Sequence, residues 1–209
     1  MNIKKATIVL EGGATRGVFT SGVLDCMMER GIYVSHVIGV SAGACNAVSY
    51  VSRQPGRTRD CMIPSDKSGT YYYGIRDFVK EKSVMNMDMI FDRYPNDLYP
   101  FDYDTYFTSE MECEIVTTNC LTGKAEYMKE REDRERLMKI CRASCSMPLL
   151  TPIVNVDNVP YLDGGLADSV PIRRAGEIGN DKIIVVLTKN AGYIREMSGR
   201  SKMPAELEL

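Results

Sequence analysis

The chain has one histidine, no Cys-x-x-Cys spacing among its seven cysteines, and almost no net charge, with 26 basic side chains against 28 acidic ones. One histidine and scattered cysteines cannot build the usual Cys/His zinc cage. A balance of -2 lacks the broad positive field that nucleic-acid binding needs, which excludes DNA and RNA as expected partners. Long apolar runs are missing as well. Only Ala6 to Leu10 precede Glu11, too few for the apolar core of a signal peptide. Gly31 to Ser52 carries no Asp, Glu, Lys or Arg for 22 residues, yet only 13 of them are apolar. Ser35, His36, Gly39, Ser41, Gly43, Asn46 and Ser49 interrupt the run, which suits a buried strand, turn and helix better than a membrane span. A soluble, cytoplasmic protein with reduced thiols is expected. No calcium loop of the Asp-x-Asp-x-Asp-Gly kind occurs, so neither metal nor cofactor is expected.

What is present is enough apolar material for one core: 209 residues at 44% hydrophobic content point to a single domain over 1–209. Ala6 to Leu10 reads as a strand, Gly12-Gly13 as a loop, and Val18 to Met28 as a helix by its apolar spacing. The plan repeats with a β-branched run Val37 to Val40, a turn through Gly39-Val40-Ser41-Ala42-Gly43, and a small-residue helix from Ala44 to Val51. Two such units predict an α/β fold with a mainly parallel sheet and helices on its faces. Residues 53–110 lose this rhythm and read as a cap or lid of short helices and loops. Glu112 to Thr118 and Ala125 to Met128 read as a hairpin. Lys129 to Arg136 reads as the start of a helix, with Glu130–Arg134 and Glu132–Arg136 as i,i+4 pairs on a solvated face. A further hairpin is expected around Asp157-Asn158, and a buried strand from Lys182 to Leu187.

Gly39-x-Ser41-x-Gly43 fits the nucleophile elbow, a sharp strand-to-helix turn that exposes a serine hydroxyl. The alternative is a Gly/Ser-rich turn without chemistry. A serine needs a base, and His36 begins the same strand, on the order of 16 Å away at roughly 3.3 Å per residue. A Ser-His-Asp triad within one chain is thereby excluded, and His36 reads as structural. Asp163, at a strand end before Gly164-Gly165, is the best remaining base, with Asp168 in reserve and an ordinary Asp-Gly turn as the competing reading. Glu11-Gly12-Gly13-Ala14-Thr15-Arg16-Gly17 is a glycine loop at a helix amino end, an anion site by geometry. It lacks the glycine spacing of a dinucleotide loop and the Lys-Ser/Thr of a phosphate loop, so an oxyanion hole is the more economical reading.

The order Gly-Gly-x-x-Arg-Gly, Gly-x-Ser-x-Gly, Asp-Gly-Gly resembles the patatin-like phospholipases, calcium-independent lipid acyl hydrolases with a Ser-Asp dyad. Ala143-Ser144-x-x-x-Pro148, with Pro152 beyond it, is similar to a segment that precedes the family's aspartate. These matches run from residue 11 to about 171. The resemblance implies the patatin-like three-layer fold, Ser41 as nucleophile, Asp163 as base, and Gly12, Gly13 and Ala14 as the oxyanion loop. Arg16 and Gly17 would support that loop, and Gly39, Gly43, Gly164 and Gly165 would shape the turns. Ala14 departs from a usual third glycine, which puts its donor geometry in question if φ must be positive.

The expected activity is acyl-ester hydrolysis on a lipid or other ester substrate. The alternative is a catalytically weak lipid-binding or regulatory protein on the same fold. Met85, Met87, Met89, Phe91, Tyr94, Tyr99, Phe101, Tyr103, Tyr106 and Phe107 concentrate soft and aromatic surface. They are expected to wall an acyl pocket and touch a membrane surface transiently, the competing reading being a cap that only packs on the core.

Overall fold

The computed structural model describes residues 3–65, 83 and 85–193. Along the chain run β1 (Ile3–Leu10), α1 (Gly17–Glu29), β2 (Tyr33–Val40), α2 (Ala42–Val51), α3 (Arg57–Met62), a π-helical segment (Met89–Leu98) and α4 (Tyr103–Phe107). There follow β3 (Glu112–Asn119), β4 (Ala125–Met128), α5 (Arg134–Ser144), β5 (Val154–Val156), β6 (Val159–Asp163), α6 (Ile172–Glu177) and β7 (Ile183–Val186). The strands form one sheet in the order β5-β6-β3-β2-β1-β7, with β4 also paired to β3. The pairings β7-β1, β1-β2 and β2-β3 are parallel, as the two strand-loop-helix units predict. The β3-β4, β3-β6 and β5-β6 pairings are antiparallel.

Alternation along the strands divides the sheet into two apolar faces. Ile8, Leu10 and Ile115 face a large core with Leu24 and Met28 of α1, Ala44, Ala47, Val48 and Val51 of α2, and Leu137 and Ile140 of α5. Val9, Ile38, Val40 and Val116 face the other way, against Ala175 of α6 and Ile178. Helices therefore flank the central sheet on both sides.

Register decides what meets at the sheet's carboxyl edge. Val116 of β3 pairs with Val40 of β2 on one side and Tyr127 of β4 on the other. Thr117 pairs with Glu126 of β4 and with Asp163 of β6. Since a strand has two edges, β6 must occupy the same edge of β3 as β2, beginning where β2 stops. The last residues of β2 and β6 thus abut, which brings Ser41 and Asp163 together across 122 positions of sequence.

Three sequence expectations change. The Lys129–Arg136 charge run is not helical at its start: α5 begins at Arg134, and Asp133 caps it by accepting from the Arg136 N–H at 3.0 Å. Glu130 instead folds over a turn, accepting from the N–H groups of Arg131, Glu132 and Asp133 and pairing with Arg136 at 2.6 Å. The strand ending at Val186 is not fully buried, because among the described residues it pairs only with β1; Ile183 and Ile184 are each 39% exposed. The aromatic segment also divides. Met87, Phe101, Tyr103 and Tyr106 lie buried in the main core and do not line the cavity described below, whereas Met85, Phe91 and Tyr94 do. Residues 66–82 and 84 of the expected cap lie outside the described residues.

Candidate active site

Ser41 has φ 55° and ψ −124°, a strained conformation for a non-glycine residue, at the junction of β2 and α2. Glycine is required on both sides because backbone crowds the turn. A Cβ on Gly39 would lie 2.5 Å from the Gly43 carbonyl oxygen, and one on Gly43 would lie 2.2 Å from that of Leu10. Ser144 holds the strained turn from below: the Ser41 N–H donates to its Oγ at 2.9 Å, and its own hydroxyl donates to the Val116 carbonyl at 2.7 Å. Ser144 is fully buried, so this two-bond link is shielded from water. The Ala143-Ser144 motif was legible in the sequence, but nothing there assigned it the task of holding the elbow.

Asp163 is the final residue of β6 and is 6% exposed. Burial pushes its carboxyl above the ordinary aspartate range, against the opposing effects of the neighbouring Ser41 hydroxyl and of a hydrogen bond from the Gly165 N–H. The Gly165 bond is 2.8 Å long. Its backbone is pinned as well, with the Asp163 N–H donating to the Ser146 carbonyl at 2.8 Å and its own carbonyl accepting from the Thr118 hydroxyl at 2.8 Å. Gly164 lets β6 close on β3, since a Cβ there would sit 2.2 Å from the Val116 carbonyl oxygen. Asp168 is engaged elsewhere, accepting from the Tyr127 hydroxyl at 2.7 Å.

The glycine loop lies over the serine. A Cβ on Gly12 would meet the Ser41 Cβ at 2.9 Å, so only glycine permits this approach. Gly13 has φ 153°, and a Cβ there would lie 3.2 Å from both Nε and Nη2 of Arg16, whose guanidinium covers the loop. Ala14 adopts φ 50°, the conformation that alanine resists; the loop imposes it nonetheless. Among the described residues none accepts a backbone hydrogen bond from the N–H of Gly12 or Gly13. The Ser41 N–H, by contrast, is consumed by Ser144. Thr188 anchors the loop's start, donating to the Gly12 carbonyl at 2.7 Å, while its N–H donates to Glu11 at 2.6 Å. Gly17 is wedged against Ala42 at the start of α2, and its carbonyl accepts from Asn46 at 3.1 Å.

A cavity of about 120 Å³ opens beside Ser41. Its wall is apolar, with Val48, Met62, Met85, Ile90, Phe91 and Met138 among the side chains that form it, and Ala14 and Thr15 stand at the loop end. Among the described residues no group of three or more His, Cys, Asp or Glu is arranged to hold a metal ion.

This arrangement can be set against known proteins. The family model for patatin-like phospholipases matches residues 8–175, most of the chain. The chain belongs to the patatin-like phospholipase family. The family is one of lipid acyl hydrolases, and the match covers the elbow, the glycine loop and the β6 aspartate together. A relative described as uncharacterized protein YjjU of Escherichia coli (strain K12) is 27% identical over 199 residues, covering 88% of this chain and 52% of that protein. The structure of VipD from Legionella pneumophila superposes with a TM-score of 0.53 at 16% identity, covering 80% of this chain and 47% of that one. The likeness to VipD shows the fold. The chain spans about half the length of YjjU and of VipD.

His36, as expected, is not part of this patatin-like site. It is buried toward the amino end of β2, 3.5 Å from Glu114, a fully buried carboxylate that also takes two hydrogen bonds from Arg174 at 2.8 and 2.7 Å. Among the described residues no helix is long and apolar enough to cross a membrane.

Proposed function

We propose that this patatin-like domain is a serine-dependent carboxylic-ester hydrolase acting on lipid acyl esters. The observation that carries the reading is the strained Ser41 set beside the buried Asp163 at the adjoining ends of β2 and β6, beneath a glycine loop with unspent N–H donors. In the proposed reaction Asp163 accepts the Ser41 proton as Oγ attacks the acyl carbonyl. The charge that develops on the carbonyl oxygen is met by the Gly12 and Gly13 N–H groups, with Ala14 the third candidate. As the intermediate collapses, the ester C–O bond breaks and the alcohol leaves with the proton from Asp163; water, giving a proton to Asp163, then attacks the acyl-Ser41, and the serine oxygen takes that proton back as the carboxylic acid departs. Burial favours this role, because a carboxylate with raised proton affinity is a stronger base than one in water. The apolar cavity would take the acyl chain, and its wall suits a lipid better than a polar ester. Seven unpaired cysteines fit a reducing, cytoplasmic setting, from which the enzyme would reach membrane lipids by transient surface contact.

Labelling with a fluorophosphonate tests the assignment. The expected result is a single adduct on Ser41, found by mass spectrometry of the modified peptide and absent in Ser41→Ala. An adduct on another serine, or none, would overturn it. The lipid-binding alternative predicts no turnover of a nitrophenyl ester by the intact chain.

The cavity wall gives a second expectation. Ile90→Asp should raise KM for long-chain esters by roughly tenfold or more while leaving acetate esters nearly unaffected, since only the long chain meets the carboxylate. Met87→Asp and Phe101→Asp place an unpaired carboxylate in the main core and should instead lower thermal stability by about 3 kcal/mol or more. Equal losses on both ester lengths for Ile90→Asp would remove the cavity from substrate binding.

A further inference from the structure

Four of the seven cysteines, Cys45, Cys61, Cys141 and Cys145, line the cavity beside Ser41. Two of them are in contact: the Sγ atoms of Cys45 and Cys145 lie 3.8 Å apart. Both are incompletely buried, so the cavity gives small reagents access to them. Their places in the chain matter. Cys45 stands one helical turn after Ser41 on α2, and Cys145 directly follows Ser144, the residue that holds the elbow. A disulfide needs the sulfurs about 2.05 Å apart, so closure requires an approach of about 1.8 Å.

We propose that Cys45 and Cys145 form a peroxide-sensitive thiol pair in the wall of the acyl cavity, whose disulfide shuts out long-chain substrate. The effect on substrate rests on the hydrolase reading above; the thiol chemistry does not. The oxidant is a peroxide, either hydrogen peroxide or a lipid hydroperoxide seated where the acyl chain goes. Cys45 thiolate attacks one peroxide oxygen, the O–O bond breaks, and the leaving oxygen takes up a proton as water or alcohol, leaving Cys45 as sulfenic acid. The Cys145 sulfur then attacks the Cys45 sulfur; the S–O bond breaks, the departing hydroxyl takes the Cys145 proton and leaves as water, and the disulfide remains. Two thiols lose two electrons in all, and the peroxide gains them.

Cys45 is the suited attacking group. A hydrogen bond from Cys145, together with the charge of Arg57, holds its thiol below the ordinary value despite burial. Burial pushes Cys61 up to about 12 and drives Cys141 upward too, so these neighbours stay protonated. Closure draws α2 onto the carboxyl end of α5, one residue from Ser144 and one turn from Ser41. In a cavity of about 120 Å³, that displacement removes room the acyl chain needs.

The test treats the purified full chain with hydrogen peroxide, blocks free thiols, and maps peptides without reduction. The expected linkage joins Cys45 to Cys145. Binding of a fluorescent fatty acid and turnover of a long-chain nitrophenyl ester should each fall by roughly tenfold, the scale set by loss of a methylene-sized space, and recover with dithiothreitol. Cys145→Ser, and independently Cys145→Ala, should keep their own untreated binding after peroxide, while Cys120→Ser, at a distant exposed turn, should respond like the parent chain. Absence of the Cys45–Cys145 linkage, a linkage that leaves fatty-acid binding unchanged, or equal sensitivity in Cys145→Ser would each overturn the proposal. Peptide mapping and fatty-acid binding need no turnover, so a chain without esterase activity would defeat the hydrolase reading and leave this test readable.

Discussion

Ser41→Ala and Asp163→Asn are each expected to lower kcat/KM for ester hydrolysis by roughly three to four powers of ten, and the double variant to be scarcely worse, because paired groups fail as one unit. The reason is geometric. Ser41 is held in a strained turn beside Asp163, and no histidine is near enough to replace the carboxylate. Two further readouts separate a catalytic aspartate from a structural one. Burial raises the proton affinity of Asp163 in the fold, so its ionised form is lost as pH falls through that raised value. The acid limb of kcat/KM should therefore lie above the ordinary aspartate range and vanish in Asp163→Asn. The stability sign runs the other way. A group with a raised folded pKa contributes stability below its unfolded value and loses it as pH rises through the folded one. At neutral pH the buried charge is thus a cost, and Asp163→Asn should raise Tm while abolishing turnover. Retained activity in Asp163→Asn would move the base elsewhere; Asp168, bound by Tyr127, would be examined next.

A large loss of stability is expected from a change toward the opposite end of β3. Glu114 is fully buried, and that burial alone would raise its pKa; the two hydrogen bonds from Arg174 and the nearby His36 ring outweigh it and bring the carboxyl down to about 2. Lys129 stands 3.6 Å from the same carboxylate. Because the folded pKa is depressed, the stabilisation is present above the unfolded value and disappears as pH falls from about 4.5 toward about 2. A shift of that size corresponds to about 3 kcal/mol. Arg174→Met removes both guanidinium bonds and leaves a buried charge on weaker partners, which should cost about 3 kcal/mol and lower Tm by on the order of 10 °C. Adding Glu114→Gln should recover much of the loss, since the uncompensated charge goes with it. Calorimetry checks both, and an unchanged Tm in Arg174→Met would show that Lys129 and His36 suffice.

Much of this molecule is legible in local sequence because the determinants are local. Short apolar runs at Ala6 to Leu10 and Val37 to Val40, each followed by a glycine turn and then by helix-forming sequence, specify strand-turn-helix units without reference to anything distant. The Asp157-Asn158 hairpin is of the same kind: both residues take positive φ, 50° and 67°, as a tight turn between twisted strands demands. The Lys129–Arg136 run misled for a physical reason. Its charges satisfy a helical pairing rule, but the Asp133 cap and the inward-folded Glu130 offer the backbone hydrogen bonds that start the helix later.

The residue types of the site were therefore determined by sequence alone: a serine between glycines, an aspartate before two more, and a glycine loop at a helix start, with one histidine too far along a strand to help. Their assembly was decided only in three dimensions. Strand order and register place β6 on the same edge of β3 that β2 vacates at Val40, and pairing between strands distant in sequence leaves no local trace. The same holds for Ser144 beneath the elbow, for Cys45 against Cys145, and for Met87 and Phe101 sinking into the core while Ile90 faces the cavity. Composition sets which side chains prefer burial; only packing sets which buried surface each of them meets.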